Sequence, residues 1–219
     1  MKKTIVVLVL IFLFSSISNS QIYKGFGVKL GTSIARQTDA PYFTVPSLKI
    51  KFGFSAGIFK EIHLIDKLNL VTGINYVQKG ALMEFINTNE LGQDLGKDYI
   101  HRNVNFVNLE VLGKFNLNTG IYYPYILAGL RMDVLASSNN TLNGSELDYN
   151  VYGSPINNNK TFGGIIGLGF EYKPSKLFTL LLEGTYNPDF TYLGEHIDSE
   201  GFPAYLKSNS FDIRTGIKF

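Results

Sequence analysis

The chain has 219 residues, with 20 Lys and Arg against 18 Asp and Glu, and it contains no cysteine. This balance provides neither the basic excess that binds nucleic acid nor a polybasic stripe for anionic lipid. Without cysteine there can be no disulfide framework, thiolate metal site, cysteine nucleophile or lipidated N-terminal cysteine.

The N-terminal segment has the composition of a secretory signal peptide. Two lysines precede an uninterrupted apolar run at positions 5–14, and small residues at 18 and 20 suit cleavage before Gln21. The alternative is an uncleaved N-terminal helix, but a membrane-spanning helix needs about 20 apolar residues. We therefore predict that residues 1–20 are a cleaved signal peptide and that residues 21–219 form one domain.

From residue 26 onward, apolar and polar residues alternate in eight segments, which predicts eight β-strands. The apolar faces span residues 26–34, 48–58, 68–76, 107–117, 122–134, 162–172, 178–186 and 211–219. The opposite faces are rich in glycine and in charges of both signs, such as Lys29, Glu110 and Arg131. A transmembrane β-strand needs about 9–11 residues with apolar side chains toward lipid and polar ones inward. The alternation therefore predicts strands that cross a membrane.

The predicted connections alternate between long and short. They span residues 35–47, 60–67, 87–102, 118–121, 136–160, 173–176 and 191–207. Outer-membrane barrels combine long external loops with short periplasmic turns, whereas a soluble barrel has no physical reason for this asymmetry. The predicted fold is therefore all-β, an eight-stranded antiparallel up-and-down transmembrane β-barrel with short periplasmic turns and long external loops. We expect it in the bacterial outer membrane.

Eight strands enclose an interior just wide enough for side chains to fill. Because unpaired buried charges are costly, the inward Lys, Arg, Asp and Glu residues are expected to pair and to plug the barrel. The inward glycines would make room for these long side chains. Aromatic residues near the strand ends predict interfacial girdles, although the chain contains no Trp.

Three stretches resemble a known family. NVNFVNLEVLGKFNL (residues 103–117), PYILAGLRMD (residues 124–133) and GLGFEYKPSKLFTLLLEGTYNPDFT (residues 167–191) are similar to the PorT-like outer-membrane β-barrel domain of Gram-negative bacteria. The family form of the first stretch carries a proline where this chain has Leu112 and Gly113. The resemblance implies fold and location, and it makes a role in protein export or gliding machinery one expectation. The alternating last strand ending in Phe219 is similar to the signal read by the barrel-assembly machinery.

Few residues suggest catalysis. His63 lies in a predicted periplasmic turn, and His101 and His196 lie in or beside predicted external loops. A Ser-His-acid arrangement would have to combine one of the two loop histidines with Asp198, Ser199 or Glu200. No nucleophile elbow surrounds any serine, so we predict no catalytic residues and no enzyme.

Metal and nucleotide sites are not expected either. The same loop histidines and a few acidic residues are candidate metal ligands, but the chain has no HExxH or His-x-His motif. The acidic candidates are Asp98, Glu195 and Asp198 on the outer rim, and Glu146 and Asp148 in the loop at residues 137–160, where calcium could bind. GGIIGLG at residues 163–169 lacks the Lys-Ser/Thr of a phosphate loop. We predict no metal, cofactor-binding or nucleotide site.

The leading hypothesis is a non-enzymatic structural or binding role exerted through the external loops. Its expected partners are outer-membrane lipid, the barrel-assembly machinery during biogenesis, and an envelope protein or surface ligand at the loops; nucleic acid is not expected. The alternatives are a narrow porin for small solutes, an outer-membrane lipid hydrolase and, more remotely, a soluble ligand-binding barrel.

Overall fold

The computed structural model describes residues 23–40, 48–89, 91, 93–118, 120–142, 145–147, 156–197 and 203–219. The prediction of a signal peptide at residues 1–20 lies outside these ranges. The described residues form β-strands joined by turns. They include no helix that is long and apolar enough to span a membrane. The strands are β1 (Tyr23–Ala40), β2 (Leu48–Lys49), β3 (Lys51–Ile65), β4 (Leu68–Thr88), β5 (Asp94–Asn116), β6 (Tyr122–Leu142), β7 (Ser145–Leu147), β8 (Lys160–Tyr172), β9 (Thr179–Asn187), β10 (Gly194–Ile197) and β11 (Pro203–Lys218).

The sheet closes into a barrel. Its long strands follow the order β1-β3-β4-β5-β6-β8-β9-β11, and each pairs antiparallel with its neighbour. β11 then pairs with β1 from Gly27↔Lys218 to Ala40↔Tyr205, which joins the two ends of the sheet. Closure satisfies the backbone groups that an open edge would leave unpaired in lipid. The three short strands extend this wall at one end, and the predicted eight-stranded up-and-down barrel is confirmed.

The two faces of the wall differ as the alternation predicts. Outward side chains are apolar and exposed, for example Phe52 at 69% and Leu168 at 68%. Inward side chains are buried and many are charged, for example Lys29 at 2% and Arg214 at 2%. An apolar outer face is stable in contact with lipid and not with water, so this arrangement is that of a membrane barrel, with its apolar side chains facing outward.

The connections are short at one end of the barrel, which is the periplasmic end by the outer-membrane rule. β3 and β4 are joined by a two-residue turn in which Asp66 has φ of +27°, a conformation that Asp tolerates better than most residues. An aromatic belt surrounds this end: Tyr122 stacks on Tyr172 with ring centroids 5.1 Å apart. Phe219 contacts Phe26 across the closing seam at 5.8 Å, and its backbone N–H donates to the Phe26 carbonyl at 2.8 Å.

At the other end, several strands are longer than predicted. Residues 94–102 and 136–142 belong to β5 and β6, although the sequence predicted loops there. β1 likewise continues to Ala40 and β11 begins at Pro203. Beyond the lipid the outward face of a strand no longer has to be apolar, so the alternation that reveals a strand is lost while the backbone pairing continues.

Candidate functional site

The barrel interior at the periplasmic end is filled by four charged side chains from four strands. Lys114 on β5 donates to Glu61 at 3.0 Å and to Glu171 at 2.5 Å. Lys218 on β11 donates to the same two carboxylates, at 2.8 Å and 2.6 Å. Two cations and two anions therefore neutralise one another, and each ammonium has two partners. This quartet, Glu61, Lys114, Glu171 and Lys218, holds β3, β5, β8 and β11 together across the interior.

A second group of ion pairs lies further up the barrel. Lys29 and Glu183 meet at 2.8 Å, and the Tyr125 hydroxyl donates to Glu183 at 2.8 Å. Arg214 donates to Glu110 at 3.3 Å and approaches Glu183 at 3.8 Å. Because Glu183 accepts from several donors, its buried charge is compensated from three strands.

A third group lies nearest the external end. Asp133 accepts from Lys79 at 2.8 Å and from Asn108 at 2.6 Å, and it is paired with Arg131. Arg131 also donates to Asp189 at 2.5 Å, which ties the segment after β9 to the wall. The prediction that the interior charges pair is confirmed in all three groups.

The interior also contains an apolar layer, which the sequence analysis did not separate from the charged face. It consists of Phe59, Val71, Leu112, Tyr125, Leu127, Ile165 and Leu181. Each of these residues lies an even number of positions from an inward charge on the same strand, so the alternation predicts that it faces inward. Their contact with one another could not be predicted, because it depends on the register between strands. An interior plugged by charges alone is thus corrected to one plugged by charges and apolar side chains.

Glycines on the inner face leave the space that these side chains occupy. A Cβ at Gly169 would lie 2.3 Å from the Tyr125 ring, and one at Gly163 would lie 2.8 Å from the Arg131 guanidinium. Real Cβ atoms do not approach this closely, so each glycine is required by its neighbour across the strands. The expectation that inward glycines accommodate large neighbours is met for an aromatic ring as well as for a charged group.

The external end of the interior is closed by a second apolar cluster. Val104, Phe106, Leu193 and Leu206 are buried against one another, with Leu135 and Ile156 packed beside them. Below it the interior retains a cavity of about 10 Å³, lined largely by the charged and amide side chains of the upper two groups. That volume is about what one water molecule needs.

Above the lipid belt, β4, β5 and β6 continue as an extension with polar contacts. Glu84 on β4 forms ion pairs with Lys49 and Lys97, and Lys49 lies over the Tyr99 ring at 5.7 Å. Hydrogen bonds from Lys49 and Lys97 hold the pKa of the Glu84 carboxyl below its usual range. The extension is therefore a polar surface with fixed charges, carried on the barrel.

The structure describes only some of the candidate catalytic residues. His63 lies at the end of β3, with Nδ1 3.0 Å from the Asn69 side-chain oxygen. His101 lies within β5 and not in a loop, because β5 extends further than predicted, and it is exposed. His196 is in β10, which pairs with β11. Its side chain is outside the described part of the chain, as are Asp198, Ser199 and Glu200.

The candidate metal ligands do not converge where they are described. Asp98 lies on β5 and Glu195 on β10, and these strands are not neighbours in the sheet. Glu146 lies on β7, but its side chain and the whole of Asp148 fall outside the described ranges. Among the residues that are described, no group of three or more His, Asp or Glu side chains is placed to hold a metal ion.

A closed antiparallel barrel with an apolar outer wall and a charged, filled interior defines a transmembrane β-barrel of the bacterial outer membrane. The sequence agrees with this class. The chain belongs to the outer membrane protein beta-barrel domain family, whose model matches residues 14–192. No curated protein matches the sequence.

Solved structures of low sequence identity are also similar to this chain. Neisserial surface protein A is 15% identical with a TM-score of 0.46, and the match covers 89% of this chain and 97% of that one. The outer membrane protein OprG from Pseudomonas aeruginosa is 13% identical with a TM-score of 0.43, covering 90% and 97%. Ail, the attachment invasion locus protein of Yersinia pestis, is 11% identical with a TM-score of 0.42, covering 90% and 100%.

Proposed function

We propose that this outer-membrane barrel is a non-enzymatic binding protein, which anchors itself in lipid and binds an envelope protein or surface ligand with its extension. The observation that carries this proposal is the height of the extension. β4 and β5 stay paired as far as Thr88↔Asp94, and β2 adds pairing to β4 at Leu82 and Met83.

Residues 78–88 of β4 would raise the extension roughly 25 Å above the lipid belt, at about 3.3 Å per residue and a tilt of about 40°. At that height a partner can approach without meeting the membrane. The paired charges of Glu84, Lys49 and Lys97 lie on the extension and favour a polar partner.

The filled interior supports binding over transport, the first alternative. A narrow porin needs a continuous water path, whereas ion-pair groups and two apolar clusters occupy the barrel from end to end. The lipid-hydrolase alternative lacks support at His101, whose register partners Leu82 and Thr141 include no acid to orient it. The resemblance to the PorT-like domain implies that such a binding role could serve protein export or gliding machinery.

Site-specific photo-crosslinking in intact cells tests the proposal. One variant carries a photoreactive residue at Tyr99, which is 40% exposed on the extension, and its control carries it at Ile121, which is 60% exposed in a short turn at the opposite end. We expect a discrete adduct at position 99 that is absent at position 121. The same adduct at both positions, or none at position 99, would contradict binding by the extension.

Two further measurements separate the alternatives. Purified protein in planar bilayers should show no steady conductance, and a stable open channel would favour the porin. Expression of the protein should leave the lipid profile of the outer membrane unchanged, and a change abolished by His101→Ala would favour the hydrolase.

A further inference from the structure

The outer wall of the closing seam changes character near the external edge of the lipid belt. Three register pairs of β1 and β11 face outward there, and from the belt upward they are Ile34↔Phe211, Arg36↔Asn209 and Thr38↔Lys207. The first pair is apolar, and the two above it are polar and include two cations. The inward residues between them, such as Ala35 and Gln37, are buried, which fixes this outward orientation.

A groove with a volume of about 360 Å³ runs along this part of the wall. Its lower part is lined by Ile34, Ile50, Tyr186 and Phe211, and Arg36 lies at its upper part. The groove therefore joins an apolar floor, level with acyl chains, to a guanidinium at the level of lipid head groups. A larger groove of about 640 Å³ lies elsewhere on the outer wall. No charged residue lines it, so it suits acyl chains but not a lipid head group.

The two cations of the seam are available to a ligand. The Arg36 side chain is exposed and has no hydrogen-bond or ion-pair partner in the part of the chain that the structure describes. Lys207 lies with Nζ 4.9 Å above the Tyr192 ring, and that ring stacks on Tyr205 at 4.4 Å. The stacked rings hold the ammonium at the rim without neutralising its charge.

The spacing suits one shared anion. Arg36 and Lys207 are diagonal neighbours on one face of an antiparallel pair, where Cβ atoms lie roughly 7–8 Å apart. Two side chains of this length can both reach a phosphate between them, and the arginine fork can contact it through two parallel hydrogen bonds. Asn209, between the two cations, already accepts from the Asp189 backbone N–H at 3.0 Å, so it helps to keep the upper wall fixed. Two acids are placed nearby by register, both on the side of Lys207 away from the groove: Asp39 is opposite Leu206, and Glu195 is opposite Tyr205.

We propose that this seam binds a phosphorylated lipid of the outer leaflet. The phosphate lies between Arg36 and Lys207, and an acyl chain lies on Ile34 and Phe211. The sequence shows no polybasic stripe, because these cations come from the first and last strands and meet only on closure. This site shares none of the residues that carry the charges of the extension, so it stands independently of the binding role proposed above.

Native mass spectrometry of the full-length barrel, extracted from membranes in detergent, tests the proposal. The probes are phosphatidic acid and diacylglycerol with the same acyl chains, with inorganic phosphate as a competitor. The variant is Arg36→Gln with Lys207→Gln, and the matched control is Lys173→Gln with Lys176→Gln, two exposed lysines in a turn at the other end. A gel-mobility shift on heating establishes that each variant is folded.

We expect the wild type to retain phosphatidic acid at least about tenfold better than diacylglycerol, and the seam variant to lose that preference while the control keeps it. Excess inorganic phosphate should leave the lipid bound, because the groove adds apolar contact that free phosphate lacks. Equal retention by the seam variant and the control would overturn the proposal. Displacement by inorganic phosphate alone would also overturn it, since it would indicate a simple anion site.

Discussion

Removal of one carboxylate from the periplasmic quartet should destabilise the barrel strongly. Glu61→Gln keeps the volume of the side chain but removes the charge that lies 3.0 Å from Lys114 and 2.8 Å from Lys218. Both ammonium groups, buried in the interior, then share Glu171 alone. Breaking a buried ion pair in this way costs about 3–5 kcal/mol, which lowers the folding equilibrium constant by a factor of about 100 or more.

The free energy of unfolding can be measured by urea titration in detergent micelles, followed by circular dichroism and by gel mobility. An exposed carboxylate provides the control, and Glu195→Gln should change the free energy of unfolding by no more than about 0.5 kcal/mol. A loss below about 1 kcal/mol for Glu61→Gln would refute the argument, because it would mean that water already compensates the lysines.

A double variant tests the network more sharply. Glu61→Gln with Lys218→Met removes one charge of each sign and leaves Lys114 paired with Glu171 at 2.5 Å. We expect it to be more stable than the sum of the two single losses predicts, with a coupling of about 0.5–3 kcal/mol. Strict additivity would show that the four charges do not act as one group.

Three other predictions follow from separate parts of the wall. Gly169→Ala should destabilise the barrel by about 1–3 kcal/mol because its Cβ would overlap the Tyr125 ring. Gly184→Ala should be tolerated because its Cβ would lie 3.5 Å from the Phe211 ring, an ordinary contact distance; equal urea midpoints for the two variants would contradict this. Phe219→Ala removes the ring contact at the closing seam and should lower the amount of folded protein in outer-membrane fractions, measured against Leu177→Ala in an exposed turn; equal amounts would count against a role for the terminal ring. The pKa of Glu84 is held below its ordinary value of 4.5, so its ion pairs should persist above pH 4.5 and be lost as the pH falls through the folded-state pKa. NMR titration of the Glu84 carboxyl measures this pKa. A pKa at or above 4.5 in the wild type, or no upward shift of the pKa in Lys49→Met, would contradict the contact.

The membrane-spanning part of the fold was predictable because lipid imposes a simple rule. Outward positions such as Val28, Leu130 and Ile213 must be apolar, inward positions need not be, and the period of a strand is two residues. The same rule fails beyond the lipid. There β5 continues through His101 as a strand whose outward face is polar, so composition alone resembles a loop.

The pairing inside the barrel was predictable in kind but not in detail. The sequence contains enough charges of each sign on the inner face to require pairing. Which charges meet depends on closure: Lys218 reaches Glu61 across 157 positions of sequence, through the register of β11, β1 and β3. The height of the extension and the meeting of the seam cations are likewise products of strand length and register, which periodicity does not encode.

The unequal strand lengths also divide the external rim into two surfaces. β5 has 23 residues and β9 has 9, so the wall rises well above the lipid on the side of β4, β5 and β6 and ends close to it at β8 and β9. A tall wall can reach a partner away from the membrane, whereas the seam strands β1 and β11, of 18 and 16 residues, carry their cations directly above the apolar pair Ile34↔Phe211. Because the filled interior connects the two sides rigidly, lipid held at the seam would fix the tilt at which the extension meets its partner. The two proposed surfaces therefore follow from one geometric property of the barrel, the slope of its external rim.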